Sequence, residues 1–135
     1  MSTTLPAETR ILVVDDDPAL LVLLSKMLMR VGVVPDTAVH GMEALEKLHA
    51  GPPYDLLILD LMLPDMDGLD ILQQLRSDPR FDSMPVLILS ARADPETIKA
   101  GLDMGADGYL TKPYLPNTLI SRVRAVLAQG RRSPG

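Results

Sequence analysis

Five polar residues spread along the chain have the right types and spacing for phosphoryl chemistry. Asp15 and Asp16 directly follow a short apolar run, and Asp60, Ser90 and Lys112 each stand at or just beyond the end of another. Clustered carboxylates repel one another unless a cation offsets their charge, and Mg²⁺ is a cation that prefers oxygen ligands. A carboxylate held beside Mg²⁺ and a lysine can attack a phosphoryl group, because the developing charge is neutralised from two sides. The set therefore predicts phosphoryl transfer to an aspartate.

These residues can meet only if the elements that precede them run side by side. Nearly continuous apolar runs, typical of strands buried on both faces, cover residues 11–14, 56–59, 86–89 and 108–111. Residues 33–38 are less apolar and contain Pro35, which suits an edge strand. The carboxyl ends of parallel strands share one rim, and ligands of open α/β sheets bind there. The pattern predicts that rim as the site.

Segments with helical spacing separate the predicted strands. The first helix begins at Asp17 as N-cap, with Pro18 at its first position, and stops at Gly32. Further helices are predicted over residues 41–50, 69–77, 95–104 and 116–128. Strands alternating with helices predict a parallel sheet covered by helices on both faces. Asp65 and Asp67 are expected to be turn and helix-start residues, and His40 and His49 to lie on the surface.

Composition excludes several classes of function. The 135 residues suit one domain, and the absence of cysteine excludes disulfides, thiolate metal sites and a cysteine nucleophile. A net charge of -5 is the wrong sign for a phosphate-backbone binder, so nucleic-acid binding by this domain is not expected. The apolar stretches are too short to cross a membrane. A cytoplasmic protein that holds a cation or meets a protein partner is expected.

Four segments together look like the receiver domain of two-component response regulators, of the chemotaxis-regulator type. They are Ile11-Leu-Val-Val-Asp-Asp-Asp17, Leu59-Asp-Leu-Met-Leu-Pro-Asp-Met-Asp-Gly68, Leu89-Ser-Ala91 and Gly108-Tyr-Leu-Thr-Lys-Pro113. The resemblance implies an α/β fold of the flavodoxin-like kind, a three-layer sandwich. Its doubly wound, five-stranded parallel sheet would have the order 2-1-3-4-5. It would span residues 10–128, between a flexible N-terminus at residues 1–9 and a tail or linker at 129–135 that includes a solvated Arg131 and Arg132.

The resemblance also assigns roles to single residues. Asp60 would be the phospho-acceptor, and Mg²⁺, with Mn²⁺ as an alternative, would bind Asp15, Asp16, Asp60 and the backbone carbonyl of Met62. Lys112, in a cis bond to Pro113, would pair with Asp60 and then with the phosphoryl oxygens. Ser90 would donate its hydroxyl to the phosphoryl group, and Tyr109 would turn inward as that hydroxyl moves. The resemblance further implies that Met62 and Arg92 tune how easily water attacks the phosphoaspartate.

The leading functional hypothesis is a phosphorylatable signalling switch that catalyses only its own phosphorylation and dephosphorylation. Its expected partners are a sensor histidine kinase or a histidine phosphotransfer protein, and a downstream protein or fused output domain. A monomer or weak homodimer is expected, because Gly108 and Thr118 stand where an acidic dimer partner often lies in the family. A phosphorylated state would bias the fourth helix, fifth strand and fifth helix toward an active face.

Two alternatives from other classes remain open on the sequence. Aspartyl-phosphate phosphatases that depend on Mg²⁺ carry an Asp-x-Asp motif after the first strand, and Asp15 and Asp17 have that spacing. Turnover of a phosphate ester would distinguish such an enzyme. An interaction module that needs no phosphate is the other alternative, and failure to bind Mg²⁺ would favour it.

Overall fold

A computed structural model of the chain describes residues 4–131. Residues 1–3 and 132–135 of the expected termini, Arg132 among them, lie outside the described residues. The strands are β1 (Ile11–Val14), β2 (Asp36–Ala38), β3 (Leu56–Leu59), β4 (Val86–Ser90) and β5 (Gly108–Thr111). The helices are α1 (Pro18–Arg30), α2 (Gly41–His49), α3 (Gly68–Arg76), α4 (Pro95–Asp103) and α5 (Pro116–Gln129). A single 3₁₀ turn at Pro79–Phe81 precedes β4.

The strands form one parallel sheet in the order β2-β1-β3-β4-β5, which confirms the predicted topology. The chain moves from β1 to β2 on one side and then returns to place β3 on the other side of β1. The order therefore reverses between β1 and β3, and their carboxyl ends border the crevice where such sheets bind ligands. The register aligns Val14 with Leu59, so the residues that follow these strands are neighbours.

Alternate residues of each strand face opposite layers, which explains the continuous apolar runs. Leu12, Leu57 and Ile88 pack into the core on the side of α2, α3 and α4. Ile11, Ile58 and Leu89 pack into the core on the side of α1 and α5. The sheet is thus buried on both faces, and the expected three-layer sandwich is confirmed.

Strands β1, β3 and β5 have the predicted bounds, and the other strands and helices differ from theirs by one to three residues. The second strand begins at Asp36 instead of residue 33, because Pro35 has no amide hydrogen to give to the ladder. The first helix ends at Arg30, and Gly32, at φ 94°, turns the chain in the left-handed region that favours glycine. Asp17 caps α1, with its side chain accepting from the Ala19 amide, as predicted.

The two ends of the described chain are more firmly packed than the composition suggests. Leu5 is buried in the core beside α1, and its amide donates to the Val31 carbonyl at 2.6 Å, whereas residues 1–9 are predicted to be flexible. Arg131 is expected in a solvated tail, yet its Nε lies 3.0 Å from the buried Asp107 carboxylate. Both contacts join residues far apart in sequence, which local composition does not reveal. Among residues 4–131, no helix is long and apolar enough to cross a membrane.

Candidate functional site

Three carboxylates meet beyond the ends of β1 and β3. Ligand oxygens of Asp15, Asp16 and Asp60 all lie within 4.8 Å of one another. The strand pairing places them, since the Asp60 amide donates to the Val14 carbonyl at 2.9 Å and so continues the β1–β3 ladder. Asp15 and Asp60 are only 1% and 4% exposed, whereas Asp16 is open to solvent. The sheet rule thus predicts a cluster that the structure contains.

Each buried carboxylate has one oxygen occupied by its own loop. Asp15 Oδ1 accepts from the Asp17 amide at 2.9 Å, and Asp60 Oδ1 accepts from the Met62 amide at 3.1 Å. These contacts fix both side chains and leave the two Oδ2 atoms pointing to a shared partner. Asp17 itself is occupied as the cap of α1, so its carboxylate is not a second acid or base for Asp15. The Asp-x-Asp reading of a phosphatase is therefore not favoured.

Lys112 is the shared partner of the two buried carboxylates. Its Nζ lies 2.7 Å from Asp15 Oδ2 and 3.0 Å from Asp60 Oδ2. The backbone holds the lysine at the rim, because its amide donates to the Ser90 carbonyl at 2.9 Å. The Lys112–Pro113 peptide bond is cis. Residues separated by 97 and 52 positions in the sequence thus share one ion-pair cluster.

Burial and ion pairing shift the pKa values of Asp60 and Lys112 in opposite directions. Burial raises the pKa of Asp60, and the hydrogen bonds from the Met62 amide and from Lys112 offset only part of that effect. Burial alone would lower the pKa of Lys112, but its hydrogen bonds to Asp15 and Asp60 outweigh burial and raise it. An additional cation near Asp60 would favour its ionised form. The hard oxygen donors of this cluster are of the kind that Mg²⁺ takes, so the residues present fit such an ion.

Ser90 lies on β4 and Tyr109 on β5, the two strands beyond β3 in the sheet. Ser90 is fully buried, and its Oγ accepts from the Arg92 amide at 3.2 Å. The Tyr109 ring is buried as well, and its hydroxyl donates to the Arg92 carbonyl at 2.6 Å. Burial raises the pKa of this hydroxyl. The ring that the resemblance expects to turn inward is therefore already inward here, tied to the loop between β4 and α4.

Met62 and Arg92 border a cavity of about 500 Å³ beside this rim. The Met62 side chain is 57% exposed. Arg92 is also exposed, and its Nε lies 3.4 Å from Asp94 Oδ1. Arg92 thus pairs along its own loop, and Met62 stands two residues after Asp60, in the loop between β3 and α3.

The loop after Asp60 is held by hydrogen bonds that the sequence does not predict. Asp65 accepts from the amides of Gly41 at 2.7 Å and Met42 at 2.9 Å, so the loop after Asp60 is tied to the first turn of α2. These hydrogen bonds lower the pKa of Asp65. His40 caps the same helix, its Nδ1 accepting from the Glu43 amide at 3.1 Å. An N-cap histidine is uncommon, and a contact over 24 residues has no local signal, so pattern reasoning misses both.

Comparison with known proteins gives one consistent result. The family described as "Response regulator receiver domain" matches residues 11–124. Response regulator MprA of Mycobacterium ulcerans is 46% identical over 118 residues, which are 87% of this chain and 50% of that protein. DNA-binding response regulator MtrA of Mycolicibacterium smegmatis is 43% identical over 127 residues, 93% of this chain and 53% of that protein. The chain therefore spans about half the length of these curated relatives.

A solved structure supports the same assignment. Chemotaxis protein CheY4 of Vibrio cholerae superposes with a TM-score of 0.82 and 32% identity, over 89% of this chain and 99% of that chain. The structural superposition and the sequence matches agree. This chain belongs to the response regulator receiver family, the phospho-accepting signalling domains of two-component systems.

Proposed function

We propose that Asp60 accepts a phosphoryl group from a phosphohistidine, carried by a sensor histidine kinase or a histidine phosphotransfer protein in the cytoplasm. The observation that supports this most is the convergence of Asp60, Asp15 and Lys112 at the β1–β3 rim, with Lys112 Nζ 3.0 Å from Asp60 Oδ2. Asp15, Asp16, Asp60 and the Met62 carbonyl would hold Mg²⁺, or Mn²⁺ in its place. When bound, the ion supplies positive charge to the transferring phosphoryl oxygens.

The chain's own residues would do the rest of the transfer. An ionised Asp60 oxygen attacks phosphorus, the new O–P bond forms, and the P–N bond of the donor breaks with its electron pair returning to the imidazole. Lys112 neutralises charge on the phosphoryl oxygens, because its ammonium already faces the acceptor carboxylate. Water attack on the resulting acyl phosphate would return Asp60, so the domain would catalyse only its own phosphorylation and dephosphorylation.

The signal would leave the site through Ser90 and Tyr109. After transfer the Ser90 hydroxyl would donate to a phosphoryl oxygen and give up its present bond to the Arg92 amide. The Tyr109 hydroxyl bonds the carbonyl of that same residue, so the loop between β4 and α4 senses both side chains. The face formed by α4, β5 and α5 would then shift its population toward the state that a partner recognises.

The partner would be a separate protein or an output domain fused to this one. MtrA is named as a DNA-binding response regulator and extends beyond the matched half, which supports a fused DNA-binding output. The receiver domain itself carries net charge -5 and would not contact nucleic acid. A monomer or weak homodimer is proposed, since Gly108 and Thr118 offer no acid for a dimer contact and Arg122 reaches the Tyr109 carbonyl of its own chain at 3.4 Å.

Labelling of Asp60 by a small acyl phosphate donor in Mg²⁺ tests the proposal. Asp60→Asn should abolish the phosphorylated species in intact-protein mass spectrometry, because an amide is not a nucleophile for phosphorus. Asp70→Asn is the matched control, since Asp70 is an exposed aspartate on the neighbouring α3 and should be labelled like the wild type. Undiminished labelling of Asp60→Asn would contradict the assignment.

A further inference from the structure

Tyr114 carries the one buried side-chain polar atom among residues 4–131 that has no hydrogen-bond partner. The two other tyrosines are satisfied, since the Tyr54 hydroxyl lies 2.6 Å from Asp36 Oδ2 and the Tyr109 hydroxyl 2.6 Å from the Arg92 carbonyl. A buried hydroxyl without a partner costs free energy that a phenylalanine of the same shape would not. The Tyr114 hydroxyl is therefore available to a protein group in another state of the molecule.

The position of Tyr114 identifies the state concerned. It stands two residues after Lys112, and both line a cavity of about 550 Å³ between α1 and the start of α5. The rest of that wall is apolar, with Leu20, Leu23 and Met27 from α1. The charges of Lys112 and Asp15 act on the Tyr114 hydroxyl, whose pKa is raised by burial. The orphan therefore lies within electrostatic reach of the phosphoryl-acceptor cluster.

Lys112 is the member of that cluster that must change partners during phosphoryl transfer. Its ammonium has three N–H donors, and within residues 4–131 two of them go to Asp15 and Asp60. A phosphoryl group on Asp60 would draw the ammonium toward the phosphoryl oxygens and away from Asp15. The shared cavity gives the long lysine stem room to move along the wall that Tyr114 forms.

We propose that Tyr114 is a positioning residue for Lys112, its hydroxyl accepting a hydrogen bond from the ammonium when Lys112 exchanges Asp15 for the phosphoryl group. This inference rests on the proposed function of Asp60. In the resting protein no other group among residues 4–131 pairs with the hydroxyl. In the phosphorylated protein it holds Lys112 at the phosphoryl oxygens.

Tyr114→Phe separates this role from packing, because the change removes only the hydroxyl. We expect the free energy of unfolding, measured by urea titration with a chelator present, to be equal to or higher than that of the wild type. We expect phosphorylation by a small acyl phosphate donor in Mg²⁺ to be about threefold to tenfold slower at saturating donor, with the apparent KM unchanged. The rise in thermal midpoint on adding Mg²⁺ and beryllofluoride, a phosphoryl mimic, should also be smaller than in the wild type.

Tyr54→Phe is the matched control, as it removes a hydroxyl that is bonded in the resting protein and lies on the edge-strand side of the sheet. It should lower stability and leave the phosphorylation rate unchanged. A wild-type rate in Tyr114→Phe would overturn the inference, and so would a loss of resting stability, which would show that the hydroxyl already has a partner. Failure of the wild type to be phosphorylated would instead overturn the proposed function of Asp60.

Discussion

At the scale of single residues, the site is organised around one ammonium between two buried carboxylates. Lys112 contacts Asp15 at 2.7 Å and Asp60 at 3.0 Å, so its positive charge offsets the repulsion between the two buried carboxylates. The location of Asp15, Asp60 and Lys112 at one rim can be predicted from sequence, because each directly follows a strand of one parallel sheet. The unpaired hydroxyl of Tyr114 cannot be predicted from sequence, since nothing in the sequence distinguishes this tyrosine from one that only packs in the core.

Met62, two residues after Asp60, gives a prediction at the scale of single residues. Met62 is exposed in the loop that follows Asp60, and it borders the rim cavity with Arg92. An apolar side chain there gives no hydrogen bond to an attacking water, so Met62→Asn should shorten the life of the phosphorylated protein about threefold to tenfold, a barrier change of about 1 kcal/mol. The decay is followed by intact-protein mass spectrometry after the donor is removed. Met29→Asn, on the exposed face of α1, is the control, and a slower decay in Met62→Asn would contradict the hypothesis.

At the scale of elements, the site depends on how closely α3 approaches the end of β3. A Cβ at Gly68 would lie 2.6 Å from the Asp60 carbonyl oxygen and 2.7 Å from the Leu61 Cα. Both neighbours are backbone atoms, so they cannot move aside without moving Asp60. The turn motif predicts a helix start near Asp67 and Gly68, but this close approach is visible only in the folded chain.

Gly68→Ala is therefore expected to destabilise the protein by about 2 kcal/mol, through overpacking against backbone. It should also slow phosphorylation of Asp60, because the acceptor must shift to admit the methyl group. Gly51→Ala is the matched control: no atom lies within 4 Å of its added Cβ, and a surface change of this kind stays within about 0.5 kcal/mol. Urea unfolding compares the two, and equal stability would contradict the account.

The contact between Tyr54 and the edge strand β2 gives a prediction of pH dependence. Burial, with the hydrogen bond to Asp36, raises the pKa of Tyr54 from 10.0 to about 12. The folded protein therefore holds this proton more tightly than the unfolded chain, and stability falls as the pH rises from 10.0 to about 12. Tyr54→Phe should show a smaller loss over that interval, measured by urea unfolding. Part of the loss should remain, because burial also raises the pKa of Tyr109 and of Tyr114.

An unchanged alkaline loss in Tyr54→Phe would show that another group causes it. Below the interval the variant should be less stable than the wild type by about 1 kcal/mol, the usual net value of one hydrogen bond. Pattern reasoning places residues 33–38 on the edge correctly, but it starts the strand at residue 33, whereas the strand begins at Asp36, after Pro35. It gives no indication of the Tyr54–Asp36 bond, which spans 18 residues.

At the scale of the whole molecule, a charged cluster closes the end of the domain opposite the phosphoryl-acceptor rim. The Asp107 side chain is only 1% exposed and pairs with Arg76 at 3.1 Å and Arg131 at 3.0 Å. Arg76 also donates to the carbonyls of Phe81 and Met84. The cluster thus joins α3, the segment before β4, the residue before β5 and the segment after α5. Its members come from four parts of the chain, so local composition does not predict the contact and places Arg131 only in a basic tail.

Asp107→Asn should destabilise the domain by about 3 kcal/mol, because it removes the buried carboxylate that pairs with two partly buried guanidinium groups. Asp103→Asn is the control, since the Lys99–Asp103 pair is exposed and an ion pair of that kind adds little to stability in water. Thermal and urea unfolding measure both variants. A change at Asp107 as small as that at Asp103 would show that the cluster does not stabilise the domain.

The chemical identity of residue 60 after phosphorylation tests the central claim most directly. Borohydride reduces an acyl phosphate of aspartate to homoserine, and peptide mass spectrometry locates the converted residue. After treatment with a small acyl phosphate donor and Mg²⁺, homoserine is expected at position 60 and at no other aspartate, with no conversion when a chelator replaces the ion. Conversion at Asp15 or Asp16, or conversion that ignores the chelator, would contradict the assignment of Asp60 as the acceptor.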